Sequence, residues 1–81
     1  MVIETYTHGA APVYARFAER GRMLPPGLAY VDSWIDATRL DRCFQLMETD
    51  DSFDAWTAAW RDLVAFEIVP VVSSSDAAAR A

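Results

Sequence analysis

Residues 2–7 form a short run rich in Val, Ile, Thr and Tyr, which predicts a first strand. The run His8-Gly9-Ala10-Ala11 breaks it, and Pro12 suits the first turn of a helix, where a missing N–H costs little. Val13, Phe17 and Gly21 fall on one helical stripe, with Tyr14 and Ala18 beside it. Gly21 is the expected C-cap, and Arg16, Arg20 and Arg22 lie in or near the last turns, where the helix dipole favours cations. The Leu-Pro-Pro-Gly run at 24–27 cannot continue a helix and predicts a turn. Residues 28–36 and 42–48 read as two strands of a hairpin joined by the polar stretch 37–41. A second helix is signalled at 49–52, with Asp51 as cap and Asp50, Asp51 and Asp54 at the positive helix end. Phe53, Trp56, Trp60 and Leu63 carry it forward on one face to about residue 62 or 63. Residues 64–72 predict a fourth strand, with Pro70 at an edge or an end. The reading is thus one domain over 1–72 and a disordered tail over 73–81.

The order β-α-β-β-α-β predicts an α+β, ferredoxin-like sandwich, an antiparallel sheet with two helices on one face. Period-two reading assigns Ile3, Thr5, Ala29, Val31, Ser33, Ile35, Phe44, Leu46, Phe66 and Ile68 to the helix-facing core. The opposite face then holds Glu4, Tyr6, His8, Tyr30, Asp32, Trp34, Cys43, Gln45, Met47, Glu67, Val69 and Val71. That face carries more large apolar groups than a wet face usually does, which marks an interaction surface. A second subunit laid over it would leave polar side chains around an enclosed space. The candidate ligand-binding set is therefore Glu4, Tyr6, Tyr30, Asp32, Trp34, Gln45 and Glu67.

Composition narrows the classes. With 81 residues the chain builds one small core of marginal stability, and Cys43, its only cysteine, rules out a disulfide framework. A partner subunit is the expected support, and a homodimer the expected form. A lone cysteine, the lack of any apolar run near about 20 residues and a start without a signal-peptide pattern suggest a cytoplasmic protein. The net charge is −5, and all seven basic residues are arginines. No lysine means no Schiff-base chemistry, and no basic patch argues against nucleic acid or an anionic membrane as the main partner. The third strand would show Cys43, Gln45 and Met47 where an RNA-recognition module stacks bases. There is no Cys-x-x-Cys loop of a metallochaperone, no Gly-rich phosphate loop, and no asparagine for acylphosphatase-like chemistry.

Candidate chemistry is sparse. Glu4 and Glu67, on neighbouring strands, could share a proton as acid and base, although solvated or arginine-paired carboxylates are the commoner case. His8 is the only histidine and reads more simply as a loop residue than as a base. Its surroundings show no metal-ligand spacing, so no metal and no cofactor is expected. Trp56 and Trp60 read as core, Cys43 as an inert buried thiol, and Trp34 as either a dimer contact or a pocket wall.

The pattern Glu48-x-Asp50-Asp51, Trp56, Trp60-x-Asp62-Leu63, Phe66-Glu67-x-x-Pro70-Val71, with Pro25-Pro26-Gly27-Leu28 and Trp34 before it, resembles a small bacterial family known as domain of unknown function 3303. The resemblance covers about residues 24–72 well and the first helix loosely. It implies a ferredoxin-like dimer of the α+β barrel type and transfers no catalytic residue. Members of the wider barrel group include cofactor-free monooxygenases, lactone isomerases, haem enzymes and proteins without known activity, so fold alone selects no function. Three readings stand in order: a homodimeric small-molecule-binding barrel without an assigned reaction, a structural or regulatory self-association module, and a cofactor-independent isomerase or monooxygenase-like enzyme.

Overall fold

Gly9 and Gly21 bracket the first helix, each at a positive φ (79° and 66°) that side-chain-bearing residues rarely adopt. The Gly21 N–H closes the last turn onto the Phe17 carbonyl at 2.7 Å, the C-cap role expected of it. In the computed structural model, which describes residues 1–49 and 52–80, the chain runs β1 (Val2–Tyr6), α1 (Ala10–Arg20), β2 (Leu28–Ile35), β3 (Arg42–Thr49), α2 (Asp54–Trp60), β4 (Val64–Ile68) and α3 (Ser74–Arg80). Asp50 and Asp51, the expected start of the second helix, lie outside the described residues. Pro70 follows β4, which stops at Ile68 instead of continuing to 72, although Val69 still donates to the Met1 carbonyl at 2.8 Å. The stretch read as a disordered tail holds α3 instead. Its first turn is closed by the Asp76 N–H on Ser73 Oγ at 3.1 Å, and none of its residues is buried.

The architecture of the described residues is α+β, one antiparallel four-stranded sheet in the order β2-β3-β1-β4 with three helices. The β2–β3 connection is an Asx turn: Asp36 Oδ1 accepts from the Thr38 N–H at 2.9 Å and its hydroxyl at 2.6 Å. Those hydrogen bonds hold the Asp36 carboxyl below its ordinary range.

The faces of β1 and β3 are the reverse of the sequence expectation. Glu4 stands opposite Cys43 and Phe66, while Ile3 stands opposite Phe44 and Glu67. The helix-covered core contains Val2, Tyr6, Cys43, Met47 and Val64 from the sheet, with Val13 of α1 and Trp56 and Trp60 of α2. Ile3, Thr5, Phe44 and Leu46 therefore sit on the open face, not in the core. Phe66 is on the helix side as expected, and it meets Trp56 at a ring separation of 5.2 Å. In β2 the register shifts between Tyr30 and Asp32. Leu28, Tyr30, Ser33 and Ile35 consequently share the helix side, whereas Ala29, Asp32 and Trp34 share the open one. The physical reason is that both faces of β1 and β3 carry apolar residues, while Glu4 and Gln45, which line a cavity on the helix side, make that side read as the more polar one.

Candidate functional site

The loop after α1 organises the helix side of the sheet. Arg22 lies between Gly21 and Met23, which itself adopts φ 56°, the one non-glycine with positive φ among the described residues. The Arg22 carbonyl accepts both indole N–H groups, from Trp56 and from Trp60, each at 3.1 Å. Its guanidinium lies over the Tyr30 ring, 3.7 Å from the centroid, and 5.0 Å from that of Phe17. A second arginine ties the helices together: Arg16 forms a two-pronged ion pair with Asp62 at 2.6 and 2.7 Å and reaches the Ala59 carbonyl at 3.3 Å. That pairing depresses the Asp62 carboxyl.

Between α1, α2 and the sheet is a cavity of about 280 Å³. Its floor is polar and comes from neighbouring strands: Glu4 and Tyr6 of β1, Cys43 and Gln45 of β3, and Ser33 of β2. Val13, Trp56 and Trp60 wall it, and the half-exposed Tyr14, Phe17 and Ile35 form an apolar rim beside Arg22. Glu4 is the centre of the floor, only 4% exposed. Its hydrogen bonds come from the Gln45 amide and the Cys43 thiol, not from an arginine. Burial raises its pKa, outweighing those hydrogen bonds and the Arg22 charge. Burial also pushes the Cys43 thiol up to about 11, and it raises the Tyr6 hydroxyl well beyond the ordinary phenol value, helped by the neighbouring Cys43. Gln45 Oε1 is buried and has no hydrogen-bond partner. The site offers a buried carboxyl of raised pKa and flat apolar walls, and its thiol is a poor nucleophile.

The sequence-derived set divides between the two sides of the sheet. Glu4, Tyr6 and Gln45 line the cavity. Tyr30 stands next to it, its hydroxyl sharing a hydrogen bond with Ser33 at 2.6 Å beneath the Arg22 guanidinium. Asp32, Trp34 and Glu67 are exposed on the open face, so Glu4 and Glu67 are separated by the sheet and cannot act as a carboxyl pair. Trp34 is half-exposed there and does not line the helix-side cavity. His8 lies in the exposed turn after β1. Sequence reasoning missed Arg22, whose role depends on loop geometry without a pattern, and underused Cys43, whose position directly across from Glu4 needed the register. No three of the described His, Cys, Asp and Glu residues gather into a metal-binding group. No helix among the described residues is long and apolar enough to cross a membrane.

The fold and cavity define the class: a small α+β domain with a helix-covered pocket whose floor is a buried carboxyl and its hydrogen-bond partners. The chain belongs to the family described as domain of unknown function (DUF3303), whose family model matches residues 1–81. The match thus includes β1 and α1, where the sequence resemblance was loose. No curated protein and no solved structure matches the chain.

Proposed function

We propose that this protein is a small-molecule-binding domain that works as a homodimer, and that its ligand sits between the helices and the sheet of each subunit. One observation carries the proposal: Glu4, 4% exposed and without an arginine partner, forms the floor of a 280 Å³ cavity with an apolar rim. Buried carboxyls are costly in plain packing and are over-represented at sites. The volume suits one small molecule, near the lower end of the roughly 300–1,000 Å³ typical of ligand pockets. The element order and the antiparallel sheet with its helix-covered face support a ferredoxin-like unit of the kind that pairs into an α+β barrel. The half-exposed Trp34 and the apolar Ile3, Phe44 and Leu46 on the uncovered face support the second subunit. A single free thiol agrees with a reducing, cytoplasmic setting.

A thermal-shift screen against small metabolites is the direct test. Hits should stabilise the parent protein and not Val13→Phe, whose larger side chain takes up part of the cavity. A screen without hits, for a protein that still self-associates, would put the structural or regulatory reading first.

A further inference from the structure

Three arginines are partly buried among the described residues: Arg16, Arg22 and Arg42. Each lies over an aromatic ring, Arg16 at 5.6 Å from the centroid of Trp60, Arg42 at 4.8 Å from that of Phe44 and Arg22 at 3.7 Å from that of Tyr30. Two of them also have a carboxylate. Arg16 pairs with Asp62 at 2.6 Å and Arg42 with Asp36 at 3.8 Å. Arg22 has none: its guanidinium forms no ion pair with, and donates no hydrogen bond to, any described residue. Glu4 feels its charge but is hydrogen-bonded to Gln45 instead.

Stacking occupies the face of a guanidinium and leaves its in-plane N–H groups, a fork that fits a planar carboxylate with two parallel hydrogen bonds. The main chain anchors that fork. The Arg22 carbonyl holds both indoles, and the flanking Gly21 and Met23 both adopt positive φ. Phe17, 5.0 Å from the guanidinium, belongs to the cavity rim, which puts the charge at the mouth. Behind it the walls of Val13, Trp56 and Trp60 are flat and apolar. The chain has no lysine to join Arg22 in holding a phosphate or a dicarboxylate. Glu4 is the only carboxyl lining the cavity, and burial raises its pKa, which lessens its repulsion of an anion.

Resting on the reading of this cavity as the ligand site, we propose that its ligand is a monocarboxylate on a compact apolar ring body, the carboxylate pairing with the Arg22 guanidinium at the mouth and the ring lying against Trp56 and Trp60. The cavity of about 280 Å³ has room for one such molecule of one or two rings.

Calorimetric titration of the intact protein with matched probes tests this. The probes are 2-naphthoate, its neutral isostere 2-naphthamide, the cation 2-naphthylmethylamine and the dianion 2-naphthyl phosphate. Naphthoate should bind at least about tenfold more tightly than each of the others. Added sodium chloride should weaken naphthoate and not the amide. Arg22→Gln keeps the main-chain carbonyl that the indoles need; it should bring naphthoate to the level of the amide and leave the amide unchanged. Val13→Phe should weaken both, because it takes up part of the cavity. Should Arg22→Gln fail to fold, the ranking and the salt response of the parent protein decide. Equal affinity for naphthoate and the amide would overturn the proposal, as would a naphthoate advantage that survives Arg22→Gln or a preference for the amine or the phosphate. In each of those cases the cavity still takes a ligand and only its class or anchor is wrong. Naphthoate binding that Val13→Phe leaves unchanged would put the carboxylate outside this cavity and also overturn the proposal. If no probe binds the parent protein at millimolar concentration, the proposal falls, and the metabolite screen decides the ligand-site reading by itself.

Discussion

At the residue scale, Glu4 links the pocket to the stability of the fold. Below its ordinary pKa of 4.5 the carboxyl is protonated in both the folded and the unfolded chain. Above that value the unfolded chain sheds the proton while the folded one, with its raised pKa, keeps it. The stabilisation is therefore full at acid pH and is lost as pH rises through the folded pKa. Asp36 and Asp62 act in the opposite sense, because their pKa values are lowered and their contribution is lost as pH falls below the ordinary 3.8. Glu4→Gln keeps those two carboxyls and removes the first effect. Urea unfolding between about pH 4 and pH 8 should show the variant gaining stability relative to the parent as pH rises. A pH-independent difference would mean that the fold does not hold a proton on Glu4. Cys43 gives a second expectation. Its thiol lies at about 11 against an ordinary 9.0, so near pH 8 its thiolate is about a hundredfold scarcer than that of a free thiol. Reaction with a chromogenic disulfide should be at least that much slower in the folded chain than in urea, and comparable rates would contradict the burial of the thiol.

At the element scale, the Arg22 carbonyl clamps the second helix to the loop after the first through two indoles. Because either indole alone still satisfies that carbonyl, Trp56→Phe and Trp60→Phe should each cost about 1–2 kcal/mol, mainly through lost packing and one hydrogen bond. The double variant should cost more than the sum, because it leaves the carbonyl bare. Urea midpoints for the four proteins give the coupling directly, and strict additivity would show that the carbonyl finds another donor. These elements were readable because their signals are local. The spacing of Phe53, Trp56 and Trp60, the helix stop at Gly21 and the turn at Pro25 and Pro26 each act within a few residues, and the element order follows from them. Strand orientation is not local. Ile3 and Phe44 compete with Val2, Tyr6 and Met47 for the core, and Glu4 and Gln45 looked like surface residues because they line a cavity. The register shift after Tyr30 adds a second ambiguity, since it moves Ser33 and Ile35 to the same side as Tyr30. Glu4, Tyr6 and Gln45 were thus legible as a group by their shared parity, while the face that receives them was not.

At the scale of the whole molecule, residues of α1 and α2 pack on one face of the sheet. The opposite face carries a row that crosses the strands, with Trp34 opposite Phe44, Phe44 opposite Ile3 and Ile3 opposite Glu67. Trp34 is 50% exposed, and the Arg42 guanidinium lies 4.8 Å from the Phe44 ring centroid, shielding part of it. Apolar area removed from water is worth about 25 cal/mol per Å², and a standard interface takes about 800 Å² from each partner; this face is the surface proposed for the second copy. A two-fold axis would bring the same row from each subunit together, so one substitution acts on both sides of the contact. Light scattering at micromolar concentration should give about twice the 9.0 kDa mass of the chain. Trp34→Glu, which puts a charge into that row on both subunits, should shift the mass toward a single chain. Because Trp34 lies on the far side of the sheet from Glu4, the same variant should keep the parent's response to pocket ligands. A parent protein that scatters as one chain and still melts cooperatively would remove the dimer and leave the pocket in place. A Trp34→Glu protein that stays dimeric would move the contact to another surface, the exposed stretch around Val71 and Val72 being the next to test.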